Sequence, residues 1–104
     1  MIAVKLSRTK DGDAVVEGVE HKMKHHSPSG FEFGYGGSGP ADLAYNILLK
    51  YVKNMDVINT KYQQFKWDVI AAIPETGGVI TVETIRDWVK VNIPEVDVDT
   101  LTWG

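Results

Sequence analysis

Apolar and polar positions alternate at the start of the chain. Ile2, Val4 and Leu6 are interleaved with Ala3, Lys5 and Ser7, the period of two that marks a half-buried strand. Lys10-Asp11-Gly12-Asp13 reads as a turn, since Asp-Gly is a favoured hairpin tip, and Ala14 to Glu17 resumes as a second strand. Val19 to Lys24 predicts a third, returning strand after a tight turn at Glu17-Gly18. One longer strand bulged at Gly18 is the alternative. From residue 40 the period changes. Ala41, Ala44, Ile47, Leu48, Tyr51 and Val52 fall on one helical face, with Leu43 and Tyr45 flanking it. Asn54-Met55-Asp56 breaks this helix. A second helix runs from Val57 or Thr60 to Ile73, with Ile58, Tyr62, Phe65, Val69, Ala72 and Ile73 as its inward stripe, and Pro74 and Gly77-Gly78 end it. Thr81 caps a third helix whose Val82, Ile85, Trp88 and Val89 face inward, and Pro94 stops it.

Strands first and helices after predict an α+β fold. The expected form is an N-terminal antiparallel β-hairpin or three-stranded meander packed on three helices. The chain of 104 residues is expected to form one domain. It divides into a hairpin or meander over 1–24, a loop rich in glycine and aromatics over 25–39, three helices over 40–93 and an acidic tail over 94–104. The tail adds an edge strand or frays.

The entry to the first helix carries the most conspicuous motif. Gly34-Tyr35-Gly36-Gly37-Ser38-Gly39 fits G-x-G-x-x-G in letters. A dinucleotide site also needs a buried parallel strand before the glycines and a second strand after one helix. Here two helices follow in succession, and Phe31-Glu32-Phe33 is not a continuous apolar run. Pro40 directly follows the third glycine, so the helix is expected to open at Pro40, with Ser38 or Gly39 as its cap. Asp42 would then sit in the first turn, where its charge opposes a bound phosphate. The residues after Gly39 also exclude a P-loop. The glycines are therefore read as a scaffold that permits close backbone approach, with Phe31, Phe33 and Tyr35 on one side and Glu32 pointing away.

Other chemistry is sparse. No cysteine is present, which removes disulfides, thiolate metal sites and a cysteine nucleophile. His21, His25 and His26 lie close in sequence, but they lack the spacing and companions of a metal site, and no metal or cofactor is expected. Ser27, Ser29 and Ser38 form no recognisable nucleophile motif, so no catalytic residue is assigned. The net charge of −3 comes without a basic cluster, so nucleic acid is not an expected partner. The polar N-terminal stretch and the absence of a long apolar run predict no signal peptide and no membrane span, hence a cytoplasmic protein. Trp67 lies about 180° from the inward stripe of its helix. It is either packed by the tail or hairpin, or exposed for a partner.

Three stretches carry a resemblance: "HSPSGFEFGYGGSGPADLA", "YQQFKWDVIAAIP" and "TVETIRDWV". Over residues 26–89 the chain resembles a family of small uncharacterised domains from bacteria, their phages and other mobile elements, marked by an SPxGFxxGYGGSGPAxLA core. Phe33 stands where that family commonly has tryptophan, so an aromatic is kept. The resemblance implies an α+β domain in a phage or mobile-element setting, and no established activity. The expected function is that of a small non-enzymatic binding protein that docks on another protein, a host protein in that setting. The contact residues would be His26, Phe31, Glu32, Tyr35, Gly36, Gly37, Ser38 and Trp67. Two alternatives stay open: a nucleotide-like ligand held in a pocket under the 25–39 loop, and a structural homo-oligomer.

Overall fold

β1 (Ile2–Arg8) is the central strand of an antiparallel sheet ordered β2-β1-β3, with β2 at Ala14–Glu17 and β3 at Gly78–Thr81. The computed structural model describes residues 1–23 and 30–103. Leu6 pairs with Val16 on one side, and Val4 with Ile80 on the other. The alternation of β1 is real: Val4 and Leu6 are buried and Lys5 is exposed. The fold is α+β, with three α-helices beside the sheet. The third strand, however, comes from residues 78–81, between the second and third helices. Residues 19–23 form no strand.

The reason lies in α1 (Ser38–Tyr51), which is buried without a break from Gly39 to Leu48. Such a helix is the centre of the structure and not an amphipathic surface element. Its polar side chains need partners inside the fold. Asn46 takes four. Its Oδ1 accepts from the amides of Lys22 and Met23, both at 2.9 Å. Its Nδ2 donates to the Met23 carbonyl at 2.9 Å and the Asp42 carbonyl at 2.8 Å. The backbone of residues 22 and 23 is thus bound to a helix side chain instead of a strand ladder. Asp42 Oδ2 and His21 Nε2 lie 3.0 Å apart beside it.

α2 (Met55–Phe65) is capped by Asn54, whose side chain accepts from the Val57 amide. It does not continue to Ile73 as an α-helix. A π-helical turn, Lys66–Ile70, closes it, with the Ala71 amide donating to the Lys66 carbonyl at 2.8 Å. The wider turn changes which side chains face inward. Val69 and Ile70 are buried, whereas Ala72, expected on the inward stripe, is exposed. α3 (Val82–Asn92) is capped by Thr81, which accepts from the Thr84 amide. Phe65 meets Trp88 edge to face, centroids 4.8 Å apart. The tail neither frays at once nor adds a strand. Val98 is buried in a short 3-10 turn (Val98–Thr100), and Trp103 stacks on Tyr51 while donating its indole N–H to the Val98 carbonyl. No helix of the described residues is long and apolar enough to cross a membrane.

Asn46 should be among the costliest polar positions to truncate. Asn46→Ala is expected to lose about 2–3 kcal/mol in chemical denaturation, because two amides and two carbonyls lose its side chain as a partner. Val91→Ser, at a position 77% exposed, should change stability by no more than about 0.5 kcal/mol.

Candidate functional site at the mouth of the central helix

Arg8, the last residue of β1, fixes the segment that leads into α1. Its Nη1 donates to Glu32 Oε1 at 2.9 Å, its Nη2 to the Phe33 carbonyl at 3.3 Å, and its Nε to the Glu75 carbonyl at 2.6 Å. The guanidinium also covers the Phe33 ring, 4.2 Å from its centroid. One planar cation with several donors thereby joins the sheet, residues 32–33 and the turn before β3. Glu32 does not point away as its alternation suggests. Arg8 holds it, and the Phe33 amide also donates to it.

The three aromatics of this segment have three different fates. Phe33 is fully buried. Phe31 is half-buried, its ring 4.2 Å from the His21 imidazole. Tyr35 is 51% exposed. The segment is then stitched to the π-helical turn from both sides. The Gly34 amide donates to the Ile70 carbonyl at 3.1 Å, and Lys66 Nζ donates to the Gly36 carbonyl at 3.1 Å.

The glycines serve side chains of this same protein. A Cβ on Gly36 would lie 2.1 Å from the Trp67 indole, and one on Gly37 would lie 2.4 Å from the Tyr35 ring. A Cβ on Gly39 would meet Glu32 at 2.6 Å. Each bare backbone unit is a flat surface on which a neighbour rests. Trp67 remains 60% exposed on that platform, with Lys66 Nζ 4.4 Å from its ring. Neither the tail nor the hairpin covers it.

The mouth of α1 differs from expectation in two ways. The helix begins at Ser38, with Gly37 as its N-cap, so Pro40 is the third helical residue and not the first. Proline is still tolerated there, because first-turn amides have no intrahelical acceptor. Asp42 consequently falls outside the first turn and is buried against His21. No acidic side chain occupies the first turn, and no side chain caps it. The charge expected to repel an anion is therefore elsewhere.

In its place stands Lys66, only 6% exposed. Burying an ammonium normally demands an anionic partner. Among the described residues Lys66 has no carboxylate in ion-pair range. Glu32 is engaged by Arg8, and Asp68 accepts from the Trp88 indole at 2.9 Å. Lys66 helps to line a notch of about 220 Å³ with Gly36, Gly37, Ser38, Ala41 and Gln63.

Of the residues singled out in the sequence, Tyr35, Gly36, Gly37, Ser38 and Trp67 come together here. Phe31 and Glu32 lie behind them as supports, and His26 falls outside the described residues. Arg8 and Lys66 carried no signal in the sequence. Among the described residues no group of three His, Asp or Glu side chains could hold a metal ion. The His21–Asp42 pair has no hydroxyl bonded to its imidazole among those residues. The site offers two exposed rings and a cation beside the start of a helix that no side chain caps.

An α+β domain with a ring-bearing glycine platform at the start of its central helix is thus the class to which this chain conforms. It belongs to a family of unknown function, DUF6166, whose model matches residues 5–91. Comparison with curated proteins and with solved structures finds no match.

The platform can be tested directly. Gly36→Ala should displace the Trp67 indole at a cost of about 1 kcal/mol, typical of local overpacking. In a Trp67→Ala background the same change should cost almost nothing. A double-mutant cycle with the Trp67 indole N–H followed by NMR measures that coupling.

Proposed function

We propose that the protein is a small non-enzymatic docking module that engages a protein partner through Trp67 and Tyr35. The observation that carries this reading is the placement of Trp67, 60% exposed yet laid on Gly36 and backed by Lys66. A large ring held in place before binding loses little freedom on association. Exposed tryptophan and tyrosine are also the side chains that most often dominate interface energetics. The resemblance to domains of phages and mobile elements favours a host protein as the partner. A nucleotide-like ligand is the weaker reading, because the glycine faces that would cradle its phosphates already carry Trp67, Tyr35 and Glu32.

Wild-type protein, Trp67→Ala and Tyr35→Ala, each first shown to melt normally, would be used as baits in a host lysate. Prey recovered by the wild type and reduced at least about tenfold with Trp67→Ala is the expected result, as for loss of one interface hot spot. Equal recovery by all three baits would count against this face. A Trp67-dependent dimer in light scattering would make the partner a second copy of this chain.

A further inference from the structure

We infer that the notch beside Trp67 recognises a single carboxylate, presented by an Asp or Glu of the partner segment that lies across Trp67 and Tyr35. This inference rests on the docking reading and adds the chemistry of the partner.

The first ground is Lys66. The residue is more than nine-tenths buried, and its ammonium has only neutral partners, the Gly36 carbonyl and the Trp67 ring. It has no anionic partner among the described residues, because Glu32 and Asp68 are committed to Arg8 and Trp88. A cation with neutral partners alone still lacks the opposite charge that a carboxylate in the notch would supply.

The second ground is where the ammonium lies. It lines the same notch as Gly37 and Ser38, at the positive end of α1, where neither a capping side chain nor an acidic residue offsets the dipole. Two positive features therefore share one small space, and an oxyanion entering it relieves both.

The third ground is the turn that places Lys66 there. π-helical turns are rare, and they gather at functional positions. This one sets Lys66 inward and Trp67 outward at adjacent positions.

The charge count selects the anion. One ammonium and one helix end match a monoanion; a phosphate dianion would call for a second cation, preferably a forked guanidinium. Among the described residues, the guanidinium that reaches this segment, Arg8, is bound to Glu32. The notch of about 220 Å³ also fits a carboxylate better than a nucleotide. The flanking rings suit the peptide on either side of the acid.

Random peptides displayed on phage would be selected on the intact, immobilised protein. Enriched peptides are expected to share one Asp or Glu, and synthetic copies with that residue changed to Gln or Asn should bind about tenfold more weakly, as for loss of a charge-assisted hydrogen bond. Against Lys66→Gln, the acidic and amide peptides should bind equally. If Lys66→Gln fails to fold, the acid-to-amide comparison on the wild type still decides. Peptides that bind through Trp67 with no preference for an acid would overturn this inference and leave the docking reading intact. So would displacement by inorganic phosphate that exceeds displacement by acetate at equal ionic strength. Failure of any peptide to bind in a Trp67-dependent way would overturn both.

Discussion

A helix buried from Gly39 to Leu48 must satisfy every polar group within the protein, and this constraint organises the rest of the structure. Asn46 meets it by binding the backbone of residues 22 and 23, which removes that stretch from the sheet. The other edge of β1 is paired by β3, a distant part of the chain, which leaves β1 at the centre of the sheet. Asp42 meets the same constraint through His21, and so leaves the helix mouth without the negative charge its position in sequence suggests.

At that mouth the chain must enter a crowded helix beside the sheet and the π-helical turn. Bulky side chains at residues 36, 37 and 39 would collide with Trp67, Tyr35 and Glu32, so the close approach requires glycine. The motif that imitates a nucleotide loop is explained by packing of the protein against itself. Arg8 completes the arrangement by tying Glu32, Phe33 and Glu75 to the end of β1. The exposed rings therefore stand on a support fixed at several points, which separates them from aromatics at the tip of a loose loop.

The sequence was legible where one local period decided the outcome. The β1–β2 hairpin follows from alternation and an Asp-Gly turn, and the Thr81 cap from its place before Val82 and Ile85. Trp67 was legible as an outlier because it sits opposite the stripe of Ile58 and Phe65. The misses share a different physics. Gly78 to Thr81 is too short to show a period, and it becomes a strand only through distant pairing with β1. Asp42 and Asn46 resemble ordinary polar positions until tertiary packing encloses α1 on all sides. Lys66 reads as a solvated lysine until a π-helical turn, set by contacts on both of its flanks, turns it inward.

That last residue bears on function because it conflicts with local physical rules. Other polar positions agree across levels: Asn54 and Thr81 accept the amides they face, and Arg8 and Asp42 have partners of opposite charge or protonation-dependent charge. Lys66 does not agree. It places a cation beside the positive end of a helix, on a π-helical turn next to the most exposed tryptophan. A methionine would fill such a space with no charge to bury, and packing alone would favour it. Conflicts of this kind are expected where selection acts on binding more than on stability. On the proposed reading, the charge at Lys66 is half of a pair whose other half a partner would bring.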